Sequence, residues 1–259
     1  MNTPVDPVAL AADLIRIPSC DPPGGELAVA QAVASTLASI GIHPTLDEFL
    51  PGRANVLARI PGRGEKPPLV LSAHLDTVPT GDRPWAFDPF VGDVVDGRLR
   101  GRGASDMKSA LACFVAAAQR IHHRESPLAG DLILAFTAGE SANCLGARRL
   151  VEQGFQREIG AFLCGEPSTL DLIVVEKAIL WLEAEAIGSM GHVSGDAGIN
   201  AINLMVDFLA DLRHFRLDLP APGPTPHSPD QESPCRSKPS ASRSQCSIGQ
   251  SPSSSRTSS

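Results

Sequence analysis

The chain has 259 residues, a formal net charge of −7, 42% apolar residues and no Tyr. That length accommodates one large domain or two small ones with a sizeable core. The negative charge excludes nucleic acid and anionic membranes as partners, because both are held by basic surfaces. The six Cys (20, 113, 144, 164, 235 and 246) form no C-x-x-C pair, and most of the first four stand in apolar surroundings. They read as small core residues of a protein in a reducing, cytoplasmic setting. No basic stretch precedes an apolar one at the N-terminus, so no signal peptide is expected. The longest apolar stretch, near Ala110 to Ala118, is too short to span a bilayer.

In chain order, residues 6–16 read as a helix ended by Pro18, with Val8, Leu10, Leu14 and Ile15 as its main apolar residues. Residues 25–40 read as an Ala-rich helix closed by Gly41. Short strands are expected near 43–49 and 54–60. Residues 68–73 are a nearly continuous apolar run, the mark of a strand buried on both faces. Val91 to Arg100 reads as a hairpin turning at Asp96-Gly97. A helix over 107–122, a buried strand from Asp131 to Thr137, a helix over 143–153 ending at Gly154 and a third buried strand from Ile159 to Cys164 follow. Buried strands alternating with helices imply an α/β fold, a mostly parallel sheet with helices on both faces.

Residues 178–187 read as a strand and 199–215 as a helix with Ile199, Ile202, Met205, Val206, Leu209 and Leu212 on one face. They look like the start of a smaller α+β lid. From Pro220 the pattern changes: residues 221–259 are rich in Ser and Pro, with four basic residues and one large aliphatic, Ile248. Such a segment buries too little apolar surface to offset chain entropy and is expected to be disordered. A natural tail and an artificial or out-of-frame end are the two readings, and the abruptness of the change favours the second. The expected organisation is thus 1–176, 177–219 and 220–259.

Sites in such sheets gather beyond the carboxyl ends of the strands, and His74, Glu140 and Glu166 all stand there. Side chains two apart on a strand share a face, so His74 could hold a metal while Asp76 accepts the proton on its other ring nitrogen. A lone His-x-Asp is more often a satisfied core pair. The apolar run before it and Thr77-Val78-Pro79 after it favour the metal. Asp106 precedes a helix and could simply cap it. Its carboxylate would repel a pyrophosphate, so the preceding Gly101-Arg102-Gly103 does not make a dinucleotide loop. It could instead bridge two cations. Glu140 could serve as a general base, and Glu166 leaves a buried strand where a ligand would stand. Each carboxylate alone could equally be a solvated loop group, and His192 alone an ordinary loop histidine. His43, His122, His123, His214 and His227 read as surface residues.

Taken together, the strings 72–79, 101–110, 136–147, 164–168 and 198–202 resemble those of the zinc-dependent amidohydrolases and exopeptidases of metallopeptidase family 20. That family contains acetylornithine deacetylase, succinyl-diaminopimelate desuccinylase and aminoacylase. The resemblance covers about residues 6–215. It implies a catalytic domain interrupted by a smaller lid that usually dimerises, and hydrolysis of the amide bond of an N-acyl amino acid or small peptide. It makes His74, Asp106 and Glu166 metal ligands, with Asp106 bridging. It gives Asp76 the role of orienting partner, Glu140 that of general base, His192 that of lid oxyanion donor, and Asn200 a place near the substrate. Zinc is the implied metal, with cobalt or manganese possible.

Two departures follow from the same resemblance. The family has two adjacent acidic residues where this chain has Glu140-Ser141, and the second binds the second metal. The family's C-terminal His ligand has no counterpart here except His227, which lacks the matching context. One metal is therefore expected instead of the family's two. The competing functional classes are an impaired amidohydrolase, an inactive truncated remnant holding at most one zinc, and a non-catalytic peptide- or amino-acid-binding module.

Overall fold

The computed structural model describes residues 3–174, 182–192, 194–195 and 197–216. The chain divides into two compact units, Met1–Lys177 and Ala178–Ser259.

The first unit opens with α1 (Pro7–Ile15). Asp6 caps it by accepting a hydrogen bond from the Val8 amide at 2.9 Å, and Pro7 stands at the first helical position, where no donor is missed. Helix α2 (Leu27–Ser39) buries Val29, Ala30, Val33 and Leu37. Strands β1 (Pro44–Leu50) and β2 (Arg53–Ile60) form an antiparallel pair. After β3 (Leu69–His74) comes a separate hairpin, β4 (Asp93–Val95) and β5 (Arg98–Arg100). Both turn residues, Asp96 and Gly97, have positive φ, as the tight turn at this position predicts. A wide helical turn over Ala104–Lys108 leads into α3 (Ser109–His122). Strand β6 (Leu132–Thr137), α4 (Leu145–Glu152) and β7 (Ala161–Cys164) complete the unit.

The strand order is β1-β2-β6-β3-β7, with β3 parallel to both β6 and β7 and β2 antiparallel to β6. The sheet is therefore mixed, parallel through β6-β3-β7 and antiparallel at the β1-β2 edge. Alternating side chains build two cores. Leu71 and Ala73 of β3 and Leu132, Leu134 and Phe136 of β6 join α1, α2 and α3 on one face. Val70, Ile133 and Ala135 meet Leu150 of α4 on the other. This is why β3 and β6 read as unbroken apolar runs.

Two expectations need correction. Strand β7 is exposed along its length, because it lies at the edge of the sheet with β3 as its neighbour. The early cysteines are not core residues: Cys113, Cys144 and Cys164 are exposed and Cys20 is half-buried. Cys113 lies on α3 off the face buried by Leu111, Ala112, Val115 and Ala118. Cys144 sits in the turn before α4, and Cys164 is on the β7 edge.

In the second unit, α5 (Ala201–His214) is capped by Asn200, whose side-chain oxygen accepts from the amides of Ile202 and Asn203 at 2.9 and 3.4 Å. Ile202, Val206, Leu209 and Leu212 of its apolar face are exposed among the described residues. Ser189 and Ile199 form an isolated antiparallel bridge. Of the strand expected over 178–187, residues 178–181 lie outside the described residues, and 182–187 form no regular strand. The Ser- and Pro-rich segment 220–259 also lies outside them.

Candidate metal centre

Strands β3, β6 and β7 run parallel, so their carboxyl ends open on one rim. His74 ends β3, and the segments that follow β6 and β7 carry Glu140 and Glu166. The Glu166 segment lies so close to α3 that a Cβ at Gly165 would stand 2.7 Å from the Cβ of Ala110. Only glycine permits that approach.

The His74 ring is buried and doubly engaged. Nδ1 lies 2.9 Å from the main-chain oxygen of Asp76, and Nε2 lies 2.8 Å from Asp106 Oδ1 and 3.9 Å from Glu166 Oε1. One donor atom from each of His74, Asp106 and Glu166 lies within 4.8 Å of the others. The two carboxylates are about half exposed, at 56% and 48%, while His74 is at 7%. Asp106 does not cap α3: Lys108 occupies that position, and Asp106 has an extended backbone with φ −124° and ψ 92°. Its side chain is thereby directed to His74 instead.

Burial pulls the His74 imidazolium down, but the Asp106 hydrogen bond and the charges of Asp76, Asp106 and Glu166 outweigh it. The net result is a pKa raised from 6.5 to about 9. Burial likewise raises Glu166, opposed by His74 and reinforced by Asp106, Glu140 and Asp76. His74 holds Asp106 below its ordinary range against the opposing effect of burial. The ring hydrogen-bonds the Asp106 carboxylate with that of Glu166 3.9 Å away, an arrangement that favours positive charge at this point. One nitrogen and two oxygens suit a borderline divalent cation such as zinc.

Asp76 departs in detail from the expectation. Its carbonyl, not its carboxylate, takes the Nδ1 proton, and the carboxylate stands 3.7 Å from that nitrogen. Past the end of β3 the chain turns, pinned by Ser19 and Asp21 to Thr77. The fully buried Asp76 carboxylate then faces the turn after β6, where it accepts from the amides of Glu140 and Ser141 at 3.0 Å each. The Glu140 side chain itself is exposed.

Several residues that the sequence did not flag stand behind this turn. Glu26 accepts from the Gly139 amide at 3.1 Å, and Asn55 accepts from the Ala138 amide at 3.1 Å. Arg53 donates to both oxygens of Asp21, at 2.7 and 3.0 Å, and to Glu26 at 3.2 Å. The one available signal was that Arg53 and Asn55 are polar residues two apart at the start of a strand that is apolar from Val56 to Ala58. Lys108, fully buried, donates to the carbonyls of Leu14 and Ile17 at 2.9 and 2.8 Å. Burial holds its pKa down at about 8.

His192 and Asn200 stand in the second unit. His192 is exposed, with Nδ1 2.8 Å from the Ser194 hydroxyl, and Asn200 caps α5. The structure thus gathers His74, Asp76, Asp106, Glu166 and the Glu140 backbone around one rim, and gives His192 and Asn200 local roles in their own unit.

A half-parallel α/β sheet with a histidine and two carboxylates converging beyond its strand ends is the arrangement of a metallopeptidase-type α/β fold. The chain belongs to Peptidase family M20/M25/M40, whose model matches residues 70–248. It is 34% identical over 235 residues to a succinyl-diaminopimelate desuccinylase of Rhodospirillum centenum, covering 86% of this chain and 59% of that protein. It is 38% identical over 208 residues to the succinyl-diaminopimelate desuccinylase of Parvibaculum lavamentivorans, covering 74% and 50%. The chain thus spans about half the length of these curated relatives. Among solved structures, the M20 family metallo-carboxypeptidase Sso-CP2 of Sulfolobus solfataricus superposes with TM-score 0.54 at 20% identity, over 64% of this chain and 37% of that one. Human carnosine dipeptidase 1 gives TM-score 0.53 at 22% identity, over 71% and 40%. Both support the fold. No helix among the described residues is long and apolar enough to cross a membrane.

Proposed function

We propose that the chain carries the catalytic unit of a metal-dependent amidohydrolase acting on N-acyl amino acids or small peptides. The carrying observation is the convergence of His74 Nε2, Asp106 and Glu166 within 4.8 Å of one another. The relatives named succinyl-diaminopimelate desuccinylase make N-succinyl amino acids, intermediates of amino-acid biosynthesis, the first substrates to try. Zinc is the proposed metal, with cobalt or manganese as substitutes. His74, Asp106 and Glu166 would hold it. When bound, it supplies Lewis acidity toward the scissile carbonyl and acidifies water.

In this reading Glu140 takes a proton from the attacking water and returns it to the departing nitrogen. A C–O bond forms, the C–N bond breaks, and a carboxylate and an amine leave. The Asp76 carbonyl holds the Nδ1 proton of His74, keeping Nε2 directed at the cation. His192 is proposed as a donor to the developing oxyanion and Asn200 as a substrate contact, both on the family resemblance. The proposed organisation is a catalytic domain at 1–176, a lid and dimerisation segment at 177–219 and a Ser/Pro-rich tail at 220–259, in a cytoplasmic protein. The division after Lys177 supports the first boundary.

The neutral Ser141 beside Glu140, where the family carries a second acid, favours one cation per chain over two. It also keeps a second reading alive: a single-zinc protein without turnover. The test is zinc content together with hydrolysis of a panel of N-succinyl and N-acetyl amino acids. Glu140→Gln should lower kcat by roughly 10²–10⁴-fold at unchanged zinc content. Stoichiometric zinc with no turnover on any member selects the second reading, and turnover that survives Glu140→Gln removes Glu140 from its role.

A further inference from the structure

Four consecutive main-chain donors, the amides of residues 138 to 141, are all taken by buried side chains from elsewhere in the fold. Asn55 takes Ala138, Glu26 takes Gly139, and the two oxygens of Asp76 take Glu140 and Ser141. Glu26 and Asp76 are both 0% exposed. Glu26 also accepts from the Gly25 amide at 3.0 Å, so each of its oxygens has a main-chain partner. Donor atoms of Asp21, Glu26 and Asp76 lie within 4.8 Å of one another. Three carboxylates packed that closely repel strongly at low dielectric unless a cation intervenes. Arg53 is that cation, bidentate on Asp21 and reaching Glu26. The room around it is small: a Cβ at Gly139 would stand 2.8 Å from its guanidinium.

We propose that Glu26, paired with Arg53, is a positioning residue for Glu140: its carboxylate fixes the Gly139 amide, and with Asp76 it sets the direction in which the turn presents the Glu140 side chain. This rests on reading Glu140 as the general base. Glu26 touches no reacting atom and acts through the backbone. A carboxylate whose own side chain is exposed has few contacts to hold its direction, so its precision must come from the main chain that carries it. Misplacing a proton-transfer group by about 1 Å can cost roughly a hundredfold in rate.

The experiment compares Glu26→Met, which fills the space without an acceptor, with Glu26→Gln, which retains one, in the full zinc-loaded chain. Amide hydrogen exchange at residues 139–141 should quicken at least tenfold in Glu26→Met relative to the amides of β3 and α3. Glu26→Gln should restore most of the protection. With the N-succinyl amino acid that wild type turns over best, Glu26→Met should lower kcat by roughly 10–100-fold at unchanged KM and zinc content, and Glu26→Gln should recover most of it. Unchanged exchange at 139–141, exchange that quickens uniformly over the sheet, or an unaltered kcat overturns the proposal. If wild type hydrolyses nothing, the amidohydrolase reading falls, and the contrast in exchange between the two variants still decides whether Glu26 fixes the turn. If neither variant folds, the wild-type chain decides. A Gly139 amide that exchanges as slowly as those of Glu140 and Ser141 supports the proposal, and a fast one refutes it.

Discussion

The first unit contains two clusters of three titratable side chains, one with three acids and one with two acids and a histidine, and they have opposite fates. In one, Asp21, Glu26 and Asp76 are buried: Asp21 and Glu26 share the Arg53 guanidinium, and the Asp76 oxygens are spent on backbone amides. In the other, Asp106 and Glu166 are about half exposed and share only a histidine ring. Where the protein supplies its own cation, the cluster becomes scaffold. Where it supplies only a titratable ring, the cluster is the one proposed to take a cation from outside. A third group supplies a control. Arg59 lies between Asp131 and Glu158 as Arg53 lies between Asp21 and Glu26, but on the surface, with Arg59 44% exposed against 12% for Arg53.

The largest effect expected is at the open cluster. His74→Ala should abolish stoichiometric zinc binding, measured by metal analysis after dialysis, while the circular dichroism spectrum is retained. Retained binding would mean that the two carboxylates suffice and that the contrast between the clusters is false. Next is Arg53→Met, which leaves buried carboxylates without their cation. It should destabilise the fold by about 3–5 kcal/mol in denaturant titration.

A smaller effect is expected from pH. His74 is raised from 6.5 to about 9, so in chelator-treated protein its stabilising contribution is complete below pH 6.5 and is lost as pH rises through 9. Lys108, lowered to about 8, gives the opposite slope above that pH. The quantity to measure is therefore the difference in stability between wild type and His74→Ala, which should shrink steadily over that window. A difference that stays constant with pH contradicts the assignment. The smallest effect should come from Arg59→Met, under about 1 kcal/mol, because exposed ion pairs contribute little. A loss equal to that of Arg53→Met would show that burial is not what separates the two arginines.

Much of this was legible in the chain itself. Leu69–His74 and Leu132–Thr137 are apolar on both faces, so their burial showed as runs, and the turn at Asp96-Gly97 was marked by residues that tolerate positive φ. His74, Asp106 and Glu166 could be singled out because strings of unusual residues surround them. Strand β7 has the same apolar text as β3 but lies at the sheet edge, and edge position is a property of topology, which a local window does not contain. Asp76 was found, but its carbonyl and carboxylate proved to have different partners, a distinction made by the backbone turn after β3. Glu26 and Arg53 were missed because an acid at a helix start and an arginine at a strand start are commonplace. Only the fold brings them together across 27 residues.

Lys108 has a practical consequence. Its ammonium links the carboxyl end of the first helix to the turn that carries Asp106, so residues 6–17 help to hold that turn in place. Trimming the amino-terminal end to ease purification, or fusing a rigid partner tightly against it, would slacken this tether. Thr3 and Val5 also hydrogen-bond Gln119 of α3, so tags on this protein belong on a flexible leader ahead of Thr3.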